Sequence, residues 1–210
     1  MKKTGTMLYL IAMFVWSIIF FENVIPEGPK PTEVITANSE NKTKKKNNID
    51  IPDVDNNMFT YMDYRSITNT KSLQYQYAQL CKIDKDTGIL YYSPDDKTKY
   101  YAAALGTGIA DHLGETFKIT LNNGEEFYIF ACDFKSDDVT DENHKGTYIK
   151  NYDGKKCLNV IEFVIDGPST PSKVKRAGTF TALKQFGGLF GDDGNIKSIE
   201  RGEDLLWITQ

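Results

Sequence analysis

The sequence predicts a mainly β domain, a small barrel or sandwich carrying two or three short helices. Three observations point there. Short apolar or alternating runs recur from Ile89 to Thr209, broken by Gly, Asn and Pro. Asn122-Asn123-Gly124 supplies hairpin chemistry between two such runs, since Asn and Gly tolerate positive φ. Helix-period apolar spacing is confined to brief stretches.

The elements follow in order. Leu73, Tyr77 and Leu80 fall at i, i+4 and i+7, so Thr70–Cys81 is expected as a short amphipathic helix capped by Thr70 or Ser72. Lys85-Asp86-Thr87-Gly88 is a turn before a short strand, Ile89–Tyr92. Tyr100–Leu105 is a buried strand ending at Gly106. Thr116–Leu121 alternates, and Glu126–Cys132 returns after the Asn-Gly turn. Residues 134–156 are polar and are expected as a long surface loop, a kind of segment that often carries function. Val160–Ile165 is an apolar strand holding one acid, Glu162. Ser172–Ala177 is a short helix between Pro171 and Gly178. Strands are expected at Thr179–Leu183, Asn195–Glu200 and Leu205–Thr209.

The N-terminus is a different kind of segment. Lys2 and Lys3 precede an uncharged apolar run, Met7 to Phe21, which Val24 and Ile25 extend. No small-x-small cleavage site follows the run, so residues 1–25 are expected as a single-pass anchor with the N-terminus inside. Cleavage as a signal peptide is the alternative. Either way the rest of the chain crosses the membrane. Residues 26–57 hold Pro26, Pro29, Pro31 and Pro52 and the run Lys44-Lys45-Lys46, with almost no apolar pattern. They are expected as a disordered linker, since they cannot bury enough apolar area to offset ordering entropy. Residues 58–210 are then one extracytoplasmic domain.

Composition narrows the function. The chain has 210 residues, 40% hydrophobic and 26% charged, which excludes a wholly disordered or collagen-like protein. Its net charge is −4. Residues 1–55 hold 7 basic and 7 acidic residues, which leaves 18 and 22 for residues 56–210. The domain thus lacks the basic excess of a nucleic-acid binder. Cys81, Cys132 and Cys157 have no metal-ligand spacing, and His112 and His144 are the two histidines. No cofactor and no metal is assigned.

Two acids carry the candidate chemistry. Asp133 ends an apolar strand, and Glu162 sits between Ile161 and Phe163. Carboxylates in apolar strands are expensive to bury, and burial or a second carboxylate raises a pKa towards general-acid use. The competing reading has Glu162 alternating outward and Asp133 capping a turn. Asp137, Asp138, Asp141, Glu142 and His144 follow in the polar loop, but their spacing does not match an EF-hand. Cys132 and Cys157 flank that loop, either bridged across its base or left as two thiols.

The order Tyr101-Ala102-Ala103-Ala104-Leu105-Gly106, Leu113-Gly114-Glu115-Thr116-Phe117-Lys118-Ile119, Gly124, Phe127 to Asp133 and Val160-Ile161-Glu162-Phe163 resembles a known pattern. It is similar to the three-aspartate double-psi β-barrel domains of bacterial cell-wall lytic enzymes, over residues 101–166. The wider layout resembles exported proteins of Gram-positive bacteria and their mobile elements. The resemblance implies a six-stranded double-psi β-barrel-like domain acting on peptidoglycan as a lytic transglycosylase. Asp133 matches the second family aspartate and Glu162 the third, while the first falls at Gly106. It implies Glu162 as the acid and Asp133 as its partner. Apart from the resemblance, Asp111 or Asp137 is expected to stand in for the missing first aspartate, with Asp138 and Asp141 as further supporting acids. The alternative is a non-catalytic envelope module that binds glycan or a partner protein.

Overall fold

Among the described residues, more than half of the buried apolar side chains lie on one large mixed sheet. The computed structural model describes residues 48–51, 56–150, 156–188 and 194–205. The expected anchor, residues 7–25, lies outside the described residues, as does most of the expected linker. Among the described residues no helix is long and apolar enough to cross a membrane.

The strands are β1 (Asn48–Ile49), β2 (Asn56–Asn57), β3 (Thr60–Asp63), β4 (Lys82–Ile83), β5 (Leu90–Tyr92) and β6 (Tyr100–Leu105). There follow β7 (Thr116–Leu121), β8 (Glu126–Phe134), β9 (Thr147–Lys150), β10 (Lys156–Asn159), β11 (Glu162–Ile165) and β12 (Ile196–Arg201). Helices α1 (Leu73–Gln79) and α2 (Ser172–Ala177) and short 3-10 turns join them. The mainly β class is as the sequence predicts. Among the described residues the large sheet holds nine strands in the order β1-β12-β7-β8-β6-β11-β3, with β5 also on β6 and β4 on β5. A second sheet runs β2-β10-β9.

Several elements depart from the sequence reading. β1 and β2 fall in the expected linker, because two-residue strands need only backbone partners, here β12 and β10. β3, parallel to β11, had no sequence signal. The expected loop 134–156 contains β9. Thr179–Leu183 is not a strand. The Thr179 hydroxyl donates to the Phe59 carbonyl at 3.0 Å and accepts from the Thr181 N–H at 3.1 Å. A hydroxyl that occupies a backbone donor in this way favours a turn over a ladder. A 3-10 turn over Phe180–Ala182 results, and it buries Phe180. Leu205 is outside any strand, and residues 206–210 lie outside the described residues.

One face of the sheet carries an aromatic core. Phe163 is fully buried, with ring centroids of Phe186 at 4.9 Å, Phe180 at 5.3 Å and Phe59, Tyr101 and Phe127 at 6.1 Å. α2 ends at Gly178, whose φ of +70° closes the helix with an N–H bond to the Val174 carbonyl, and Val174 joins this core. The other face receives α1. Ser72 caps it by accepting the Tyr75 N–H at 3.2 Å. Its Tyr77 and Ala78 pack on Ala102, Phe130 and Val164. Alanine at 102 lets the helix come close.

Phe163→Ala is expected to cost about 3–5 kcal/mol, because five rings lose their shared contact and cannot collapse onto a methyl group. Chemical denaturation of the full chain measures it.

Candidate functional site

The two acids singled out from the sequence come to one row of the sheet. Glu162 on β11 stands opposite Ala104 on β6, and Ala104 stands opposite Asp133 on β8. The second pairing depends on a register step. Ala103 pairs with Ala131, but Ala104 pairs with Asp133, so Cys132 is an extra residue in β8. Such a bulge turns two successive residues towards one side. Cys132 packs in the cluster under α1, and Phe134 returns to the aromatic face. Asp133 therefore shares the α1 face with Ala104 and Glu162. The two backbones are two strands apart, about 10 Å. Ala104 lies between them in the row.

The two carboxyls have different surroundings. Burial pushes the Asp133 carboxyl above the usual aspartate range, and the Glu162 charge adds to this. The Phe134 N–H, donating at 2.8 Å, and the Gln74 side chain from α1 work the other way. Glu162 is 29% exposed and lies 3.3 Å from the Lys135 Nζ. Lys135 itself is 3% exposed. Burial lowers its ammonium pKa, and Glu162 opposes that shift. Lys135 carried no sequence signal, since it stands at the start of a polar loop. Gln74 likewise gave none, being a polar residue on a short helix.

The loop after β8 folds back over the end of β6. Asp141 is buried and accepts the Lys145 N–H at 2.7 Å and the Gly146 N–H at 2.8 Å. Burial would raise its carboxyl, but these backbone donors outweigh that and hold it low. The Gly108 N–H donates to the His144 carbonyl at 2.9 Å. A Cβ at Gly106 would collide with that same carbonyl. Position 106, where the family pattern has its first aspartate, is thus closed to any side chain.

The four expected supporting acids are engaged elsewhere or stand apart. Asp137 accepts from the Thr107 hydroxyl at 2.8 Å and lies 3.5 Å from His144 Nδ1. Asp138 is exposed in a 3-10 turn. Asp141 caps its own loop. Asp111 lies 3.6 Å from Arg201 Nη1, beside the buried Glu115. Cys132 and Cys157 are thiols in different sheets, so no bridge closes the loop base.

Near Asp111 the donor atoms of His112, Glu115 and Asp204 lie within 4.8 Å of one another. Arg201 is ion-paired to Glu115 there. This set is read as a structural ion-pair network that ties β12 to the β6–β7 connection. No family model, no curated protein and no solved structure matches this chain.

Glu162→Gln is expected to destabilise the fold by about 1–3 kcal/mol, since it removes the carboxylate partner of the buried Lys135 ammonium. Adding Lys135→Met should restore most of that loss, and chemical denaturation of the two variants checks it. Asp133 gives a pH prediction. Its folded pKa is raised above an unfolded value of about 3.9, so its contribution to stability is complete below that value. The contribution is lost as pH rises through the folded pKa. The Asp133→Asn variant should gain on wild type as pH rises through this window, and the gap should close at lower pH in unfolding measurements.

Proposed function

We propose that the chain is a membrane-tethered extracytoplasmic envelope protein that cleaves peptidoglycan glycan strands as a lytic transglycosylase. The tether is residues 7–25, which places the domain outside the cell. The arrangement carrying this reading is the Asp133–Ala104–Glu162 row, with one carboxyl raised by burial and the other beside an ammonium. The double-psi β-barrel likeness belongs to the same reading, supported by the parallel pairs β6–β8 and β3–β11.

In this mechanism Asp133 is the acid and Glu162 its charged neighbour, an exchange of the roles that the resemblance implies. Protonated Asp133 gives its proton to the glycosidic oxygen as the C1–O bond breaks. The resulting Asp133 carboxylate then takes the proton of the sugar's own C6 hydroxyl. That oxygen closes on C1 and leaves a 1,6-anhydro end. No water is consumed, and one well-placed carboxyl both donates and recovers the proton. Glu162 keeps a negative charge beside the developing cation, and Lys135 positions Glu162 without reaching substrate.

The second reading is a non-catalytic module that binds an envelope glycan or a partner protein. The closed position at Gly106 favours it, because the family's first carboxylate has no place there.

The full chain in detergent, incubated with Gram-positive peptidoglycan, is expected to release fragments with 1,6-anhydro ends. Asp133→Asn should lower that release by at least about a hundredfold, the scale of a lost general acid. Glu162→Gln combined with Lys135→Met should retain partial activity. Co-sedimentation with the wall without release would support the binding module instead.

A further inference from the structure

At the end of β8 away from Asp133, the α1 face of the sheet carries an apolar patch. Tyr92 on β5 pairs with Tyr100 on β6, and Tyr100 pairs with Tyr128 on β8. Residues directly opposite share a face, so the three tyrosines form one row. Tyr100 packs on the cluster under α1, which sets the row on that face, and its ring centroid lies 5.6 Å from that of Tyr128. Leu80, just after α1, lines a shallow groove with Tyr92 and Phe130. Ile83 stands opposite Leu90, a member of the same cluster. Among the described residues five large hydrophobic side chains are exposed, and Leu80, Ile83 and Tyr128 are three of them. Three on one face make a patch rather than scattered surface residues.

The path of the chain after β12 says what covers it. The Gly202 N–H donates to the Thr116 carbonyl at 2.8 Å, and the Leu205 N–H donates to the Gly114 carbonyl at 3.1 Å. These bonds lead the chain past the start of β7 and seat Leu205 in the groove, with Tyr77, Leu80, Tyr92 and Phe130. Leu206-Trp207-Ile208 follow in the sequence. In an extended chain residues two apart face the same side, so Trp207 turns towards the sheet as Leu205 does. Three residues reach about 10 Å, or two strand spacings, which is the span of the row from β5 to β8.

We infer that residues 206–208 form a strap across the α1 face, with the Trp207 indole seated on the row between Leu80 and Tyr128. Tryptophan buries a large apolar surface, and the tyrosine rings offer it edge-to-face contact. The strap matters for α1. A helix of seven residues cannot hold itself in water, so α1 depends on what packs against it. The same helix carries Gln74, whose side chain bonds the Asp133 carboxyl. The strap thereby clamps the helix that orders the acid row. Its docking does not rest on the function proposed above, and its test needs no substrate.

The tryptophans of the chain are Trp16 and Trp207, so Trp16→Phe leaves one reporter in the full chain in detergent. Its emission is expected to be blue-shifted and to resist acrylamide, and Leu80→Ser and Tyr128→Ser should each shift it to the red. Thermal unfolding reads the same contact independently. Trp207→Ser should lower the midpoint by about 4–8 °C, the scale of one aromatic side chain returned to water. Combined with Tyr128→Ser or Leu80→Ser, it should cost less than the two single shifts added, because residues in contact are coupled. The inference is overturned by solvent-like emission of Trp207 or by additive shifts with both partners. Quenching by a brominated detergent would seat the indole in the micelle, and a red shift on dilution would seat it on a second copy; either also overturns it.

Discussion

The register step at Cys132 sets the rest of the site. A regular β8 would alternate Ala131 inward, Cys132 under α1 and Asp133 into the aromatic core. An ionised carboxyl among Phe163 and its neighbours would be prohibitive. One extra residue opposite the Ala103–Ala104 step turns Asp133 onto the α1 face and returns Phe134 to the core. The bulge thereby keeps the aromatic packing intact and brings a carboxyl beside Glu162. Neither result is available without the other.

The polar groups around that row are mutually dependent. Lys135 is buried because the chain must turn back under β6, where its N–H donates to the Leu105 carbonyl at 2.9 Å. Its ammonium then needs a counter-ion, and Glu162 is the carboxylate within reach. Glu162 in turn raises the electrostatic cost of ionising Asp133. The loop that follows is held by Asp141 and by close backbone contact with Gly106 and Gly108. Closure at Gly106 and the acid row are therefore two consequences of one return of the chain.

Legibility varied with the range of the interactions involved. Tyr100–Leu105, Thr116–Leu121 and Ser172–Ala177 agree with the sequence to the residue, because alternation, the Asn-Gly turn and the Pro/Gly bracket are local signals. The helix expected over Thr70–Cys81 is shorter, Leu73–Gln79, with Ser72 rather than Thr70 as its cap. Thr179–Leu183 misled, since a β-branched apolar run looks the same whether or not a hydroxyl captures its backbone. β3 was invisible because its partner β11 lies about a hundred residues away in sequence. Asp133 and Glu162 were legible as acids in apolar strands, whereas Lys135 and Gln74 looked like any solvated residue.

By itself the sequence determined the mainly β class, the principal strands, the absence of a basic excess and the two acids that stand out. These follow from composition and short-range periodicity, which a linear chain displays. The tertiary structure alone decided which side of the sheet each acid faces, what neutralises Glu162, and why position 106 admits no side chain. Those outcomes depend on register, on a single bulge and on backbones meeting across long loops, and none of these leaves a mark in the order of residues.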